Sequence, residues 1–451
     1  MQSHFPVVIV GGGQAGLSIS YCLQQQGIDN IIFEKNKIAD SWRSKRWDTF
    51  CLVTPNWQCM LPGYRYSGED PNGFMKRDAI VQFVENYAES FGPCIKENVS
   101  VRALKRHDSR SVFEVTTSIG TYTADQVVVA TGGYHDPKIP RMAERLPTQV
   151  VQLHSSEYKK PENLPAGAIM VVGTGQSGAQ IAEDLHLAGR QVHLCVGSAP
   201  RSPREYRGKD VVDWLDQMGY YDIPIDEHPQ KETVRSKTNH YVTGRGGGRE
   251  IDLRQFALEG MQLHGRLQSI QGEQLTFQAD LKQNLDYADD VAESIKRTID
   301  EYIEKAQIDA PTEPSYQPVW EPEATPLPVN IQDANISTVI WATGYHTDFS
   351  WIEIPAFDGK GYPGHKRGIS NVQGLYFLGL PWLYTWGSAR FSGIARDAEY
   401  LANCIALKNK VKPTTTSSLL ALPSPLAVSA VSVAGEHPPS LVAAPKAVVA
   451  S

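Results

Sequence analysis

One stretch of local sequence occurs twice in this chain and limits what it can fold into. Gly11-Gly12-Gly13-Gln14-Ala15-Gly16 follows the apolar run Val7-Val8-Ile9-Val10. Gly173-Thr174-Gly175-Gln176-Ser177-Gly178 follows Ile169-Met170-Val171-Val172. Each reads as a buried strand, a tight glycine turn and the start of a helix. The first glycine permits the turn, and the second lets backbone approach a pyrophosphate. The third lets the helix pack on its strand with its N-terminal N–H groups aimed at phosphate. Two such units in correct context imply two dinucleotides on one chain, and hence hydride passing from one to the other.

The expected fold is therefore α/β, with two Rossmann-like, three-layer dinucleotide-binding domains. Residues 1–146 form the first part of one domain, and 147–334 form a second domain inserted into it. That insertion includes an irregular stretch over 200–328. Residues 335–412 return to complete the first domain, and 413–451, rich in Ala, Pro, Ser, Thr and Val, read as a disordered tail. A helix is expected after Asp78 as N-cap, with Ile80, Phe83, Val84, Tyr87 and Phe91 on its apolar face. Strands are expected around Val99–Leu104, Val112–Thr117, Thr121–Ala124 and Val127–Val129. Gly244–Arg249 reads as a flexible loop, Arg266–Leu281 as a hairpin, and 286–306 as an amphipathic helix.

At 451 residues the chain can build two or three cores. A net charge of −7 gives no support for nucleic-acid binding. No stretch is suited to span a membrane; Leu419–Gly435 is broken by Pro423 and Pro425. The first strand starts too near Met1 to leave room for a signal peptide. Six cysteines without C-x-x-C or metal-ligand spacing fit the reducing cytoplasm. No metal is expected, and a homodimer stays open.

Glu34 lies 23 residues after Gly11, where a carboxylate reaches ribose hydroxyls and repels a 2′-phosphate. FAD or NAD fits this first site. Lys35 follows it. After the equivalent strand of the second unit, Gln191–Val196, there is no acid. Arg201, Arg204, Arg207 and Lys209 follow instead. Arg201 and Arg204 are expected to pair with a 2′-phosphate, making the second cofactor NADPH. The plain alternative is a solvated basic loop.

The order G-x-G-x-x-G, Ala130-Thr131-Gly132, G-x-G-x-x-G, Ala342-Thr343-Gly344-Tyr345 resembles the class B flavin-dependent monooxygenases, which include the flavin-containing monooxygenases. Trp42-Arg43 and the segment to Phe50 resemble their G-x-W-R region. Leu61-Pro62-Gly63-Tyr64 is similar to the plant flavin monooxygenases of auxin synthesis. The resemblance covers roughly residues 5–405. Their linker signature is degenerate here, with Thr148 and Val150 in place of Phe and Gly, but His154 and Tyr158 are present. Trp47–Cys59 is similar to bacterial flavoproteins encoded beside nitrilases in cyanide-assimilation clusters, which implies a small nitrogenous substrate.

The resemblance implies FAD in the first site, NADPH in the second, and insertion of one oxygen atom from O2 into a small molecule through a C4a-(hydro)peroxyflavin. The two A-T-G turns and Gly379 would lie against cofactor. Asn56, in the loop Thr54–Gln58, is the expected catalytic residue, an amide able to donate to the flavin adduct; it reads equally well as a turn residue after Pro55. Three alternatives stay open. A disulfide reductase needs a redox cysteine pair, and only Cys51 and Cys59 are close in sequence. An NADPH oxidase or dehydrogenase would share every motif. A redox-sensing flavoprotein would have no need of the second fingerprint.

Overall fold

Both fingerprints sit where a parallel strand runs into a helix. The computed structural model describes residues 3–107, 112–323 and 325–410. The expected disordered tail therefore lies outside the described residues. Strand β1 (His4–Val10) leads through the first glycine turn into helix α1 (Gln14–Gln25), then β2 (Asn30–Phe33). Helix α2 (Arg77–Phe91), β3 (Ile95–Lys96), β4 (Val101–His107), β5 (Val112–Thr117) and β6 (Gly120–Val129) follow. The helix begins one residue before Asp78, with Lys76 as N-cap, and places Asp78 in its first turn.

Two short strands expected near Thr121 and Val127 are one ten-residue strand, β6. Its first half pairs antiparallel with β5, and its second half pairs parallel with β1. Polar alternation in the first half and continuous valines in the second record that change of environment.

The second unit comprises β7 (Val151–His154), β8 (Ala168–Val172), α3 (Gln176–Leu187), β9 (Val192–Cys195), β10 (Gln262–His264), α4 (Leu281–Ala306) and β11 (Ile336–Trp341). Its sheet is parallel throughout, in the order β7-β11-β8-β9-β10. The chain then returns to the first sheet. The hairpin strands His365–Lys366 and Ile369–Ser370 edge β12 (Leu375–Phe377), which pairs parallel with β6. Helix α5 (Ile394–Lys410) packs against α1. Every strand of the second sheet thus falls, in sequence, between strands of the first.

The cores explain the strand composition. Residues from Val7 to Ala130 and from Phe349 to Ile405 share one apolar cluster, so these two stretches bury each other. In β8, Ile169 and Val171 face one cluster while Met170 and Val172 face another. A strand covered on both sides has no polar face, which is why it reads as an unbroken apolar run. The expected hairpin is present as Leu267–Gln271 and Gln274–Phe277, and the amphipathic helix starts earlier than expected, at Leu281.

One buried pair gives the second sheet a pH dependence. His193 on β9 and His264 on β10 stack, ring nitrogens 3.0 Å apart. Burial, then the neighbouring His193, pushes His264 down to about 3. The unfolded chain takes up that proton near pH 6.5 while the folded chain refuses it. Stability from this group is complete above that pH and is lost as pH falls towards 3. Between pH 7 and about pH 4.5 the loss should be about 3 kcal/mol. Urea midpoints at both pH values should therefore fall less for His264→Phe than for the unaltered chain.

Candidate functional site

The fingerprint glycines differ in what a side chain there would meet. Gly11 has φ +107°, and a Cβ there would lie 2.7 Å from the Ala130 carbonyl oxygen. Gly173 has φ +105°, and its Cβ would lie 2.8 Å from the Ala342 oxygen. Gly16 and Gly178 would each bring a Cβ to 1.9 Å from the carbonyl oxygen of the first glycine in their own turn. These four positions are required by the protein itself.

The middle glycines are different. Gly13 has φ −78° and Gly175 has φ −60°, values open to any residue. A Cβ on Gly13 would meet nothing within 4 Å, and one on Gly175 only Thr238 Cγ2 at 3.6 Å. Among the described residues nothing explains a glycine at either place, so the space in front of them is left for something that binds. Helices α1 and α3 start at these glycines with no side-chain cap and no acid in the first turn. Their orphan N–H groups and positive ends face the same open space.

Around the first turn, Glu34 is held at the end of β2. The Gly12 N–H donates to Glu34 Oε2 at 2.6 Å and the Asn36 N–H to Oε1 at 2.9 Å. Gln14 donates to the Ala389 carbonyl at 3.2 Å and accepts from Trp42 Nε1 at 3.3 Å. Trp42 stacks on Phe391 at 5.7 Å. A Cβ on Gly379 would lie 2.8 Å from the Ala15 Cβ, so the loop after β12 closes tightly on the start of α1. In that loop Trp382 and Ala389 are held at φ +53° and +69°, a strained geometry that clusters at ligand sites. Thr131 Oγ1 is buried with no protein partner, beside Gly132 at φ +74°.

The second turn is joined to the first unit by a buried carboxylate. Asp184 on α3 accepts from Thr49 Oγ1 at 2.6 Å, from Tyr158 Oη at 2.6 Å, and from Arg245. Sequence reasoning found Tyr158 but not Asp184 or Thr49, because nothing local marks three residues so far apart. Gln176 donates to the Val242 carbonyl at 2.6 Å, and Ser177 lies in the first turn of α3. His154 is buried, with Nδ1 2.9 Å from Ser156 Oγ and Nε2 3.0 Å from the Gly344 carbonyl. Burial lowers its pKa, so the imidazole is neutral and pins the Ala342–Gly344 turn. Thr343 donates to the Lys138 carbonyl. The Gly244–Arg249 turn is anchored: Arg249 pairs with Glu183 at 2.8 Å, and a Cβ on Gly244 or on Gly248 would lie 2.6 Å from the Phe74 ring.

Several expected binding residues are committed elsewhere. Arg201 is buried, paired with Glu250 and with Asp289 at 2.8 Å, and stacked on Tyr316. Arg204 is buried between Asp210 at 3.2 Å and the Val53 carbonyl at 2.8 Å. Arg43 points outward to Glu85 at 2.5 Å, and Lys35 is exposed. Asn56 is buried with both ends of its amide used: Nδ2 donates to the Asp70 carbonyl at 2.9 Å, and Oδ1 accepts from the Met75 N–H at 2.7 Å. It closes the loop from Pro55 to Met75. Asn56→Ala should therefore cost about 2 kcal/mol of stability by stranding the buried Met75 N–H. A lowered urea midpoint checks this, and an unchanged midpoint would refute it.

All six cysteines are free thiols. Burial pushes Cys51 up to about 11 and Cys59 to about 12. Neither is the stabilised thiolate that disulfide exchange requires. Among the described residues no His, Cys, Asp or Glu group is arranged for a metal, and no helix is long and apolar enough to cross a membrane.

The family model for pyridine nucleotide-disulphide oxidoreductases matches residues 8–244. The chain is 36% identical over 409 residues to an uncharacterized CzcO-like oxidoreductase of Geobacillus kaustophilus, covering 90% of this chain and 99% of that one. It is 33% identical over 214 residues to a probable indole-3-pyruvate monooxygenase, YUCCA10, of Arabidopsis thaliana, covering 46% of this chain and 54% of that one. Among solved structures, a flavin-containing monooxygenase from Stenotrophomonas maltophilia superposes with a TM-score of 0.61 at 16% identity, over 90% of this chain and all of that one. That likeness is one of fold.

Proposed function

This chain belongs to the pyridine nucleotide-disulphide oxidoreductase family, and from that premise we propose that it is an FAD-dependent, NADPH-consuming monooxygenase. The observation that carries the reading is the pair of middle glycines, Gly13 and Gly175, each in ordinary backbone geometry before open space. One such gap would suit one dinucleotide. Two gaps, each before an uncapped helix, suit a donor and an acceptor of hydride.

In this reading residues 1–146 and 335–412 form the FAD domain, and 147–334 form an inserted NADPH domain. The start of α1 would hold the FAD pyrophosphate, and Glu34 its ribose hydroxyls. Residues of the Ala130–Gly132 turn and Gly379 would line it, and the Thr131 hydroxyl, buried without a partner among the described residues, would bond it. The start of α3 would hold the pyrophosphate of the second dinucleotide. The chemistry supplied at this site when FAD is bound would be hydride acceptance and O2 reduction.

The protein's own share is positioning and exclusion of water. Asp184 joins Thr49 of the first unit to Tyr158 and Arg245 of the second, fixing the distance between the two sites. His154 holds the Ala342–Gly344 turn while staying neutral, so it adds no charge beside the cofactors. The loop Leu380–Phe391 meets the start of α1 through the Ala389 carbonyl, which accepts from Gln14, while Phe391 stacks on Trp42. The oxygen acceptor is a small, nitrogen-containing molecule in the cytoplasm. The raised Cys51 and Cys59 thiols support an oxygenase over a dithiol reductase.

Stopped-flow absorbance tests the proposal. The purified protein, reduced by NADPH without oxygen and then mixed with aerated buffer, should show a lasting absorption distinct from reduced and oxidised flavin. Direct return of the oxidised spectrum with stoichiometric peroxide, with and without candidate substrates, would make the protein an oxidase instead.

A further inference from the structure

The two units can be compared residue by residue at the place that meets the adenine ribose. In the first sheet Val10 pairs with Phe33, and the next residue is Glu34. In the second, Val172 pairs with Cys195, and the next residue is Val196. Glu34, Lys35 and Asn36 therefore correspond to Val196, Gly197 and Ser198. Val196 is buried, and its carbonyl accepts from Asn284 Nδ2 at 3.0 Å. The Gly197 N–H donates to Thr174 Oγ1 at 3.0 Å. Ser198 is exposed.

This position carries neither charge that sorts the two nicotinamide cofactors. A carboxylate here binds ribose hydroxyls and repels a 2′-phosphate, whereas a free guanidinium draws the phosphate in. Among the described residues, the cations that closely follow β9 in sequence, and Arg245 and Arg249, each have another partner. Arg201 serves Glu250 and Asp289, Arg204 serves Asp210, and Arg207 serves Asp300 at 2.8 Å. Lys209 lies 4.4 Å over the Trp214 ring, and Arg245 and Arg249 pair with Asp184 and Glu183. Withdrawing Arg201 to meet a phosphate would break its pairs with Glu250 and Asp289 and leave Asp289 to Arg254 alone, which is unfavourable for a guanidinium buried among them.

We propose that the second dinucleotide site does not sort its ligand by the 2′-phosphate and takes NADH and NADPH with comparable affinity. The inference rests on the two-dinucleotide reading above, and it names Gly197 and Ser198 as the positions that leave the choice open. A guanidinium introduced at Ser198 would supply the missing discrimination.

Equilibrium binding tests this on the FAD-loaded full chain, with NAD+ and NADP+ as probes and flavin fluorescence or calorimetry as readout. The two dissociation constants should lie within about tenfold of each other, and Ser198→Arg should shift their ratio at least about tenfold towards NADP+. A preference above about tenfold for either cofactor in the unaltered chain would overturn the proposal. So would a Ser198→Arg ratio that does not move, since the ribose would then lie elsewhere. Binding of neither probe to a protein that still holds flavin would remove the second dinucleotide site itself, and this inference with it.

Discussion

Gly13→Val is expected to give a folded and colourless protein. Most glycine substitutions in such a turn cannot separate folding from binding. Gly16→Ala would drive a methyl group to 1.9 Å from the Gly11 carbonyl oxygen, so the turn itself would have to open. Gly11 has φ +107° and lies against the Ala130 carbonyl, so any side chain there strains the backbone first. Gly13 escapes both penalties. Its φ of −78° and ψ of −174° suit a β-branched residue, and its missing Cβ faces no protein atom within 4 Å. The added isopropyl group occupies only the space in which a pyrophosphate would meet the N–H groups of α1. The far-UV spectrum and melting temperature should stay close to those of the unaltered chain. FAD affinity should fall at least about 100-fold, or about 2.7 kcal/mol, read from the flavin retained on purification and from titration of the apoprotein. A yellow Gly13→Val protein would show that flavin does not rest on this turn.

What the sequence showed and what it hid differ in range. The fingerprints are contiguous, and their strands are covered on both faces, so turn chemistry and apolar runs mark them without help from distant residues. Glu34 is likewise legible from its spacing to Gly11. The arginines after β9 are not. Arg201 reads as a free cation until Glu250, 49 residues away, is folded onto it. Asn56 reads as an amide available to a ligand until Asp70 and Met75 take both ends of it. Arg43 is adjacent to Trp42 in sequence, yet the short helix Asp40–Ser44 turns the two apart, one to Phe391 and the other to Glu85 on α2. Charge and hydrogen-bonding capacity are visible in a sequence, but whether they are already satisfied depends on tertiary partners. Asp184 is the opposite case: an ordinary acid on a helix in the sequence, and in the fold the point where three segments meet.

The same reasoning applied to the second turn gives a functional rather than a colour change. Gly175 has φ −60° and ψ 174°, and a Cβ there would touch only Thr238 Cγ2, at the ordinary contact distance of 3.6 Å. Gly175→Val should therefore fold, and because it leaves Gly13, Glu34 and the loop after β12 untouched, it should purify yellow. Dithionite, which needs no binding site, should bleach its flavin as it bleaches the unaltered protein. NADPH should not: anaerobic reduction should slow by at least about 1,000-fold, the rate equivalent of about 4 kcal/mol of lost binding and orientation. Spectrum and rate are read from one sample, so misfolding and a blocked donor site give different results. Loss of yellow colour would mean that the substitution had damaged the first nucleotide unit through the Asp184 contacts. Rapid bleaching by NADPH would mean that hydride reaches the flavin without passing over α3, and the second fingerprint would then have no part in the reaction.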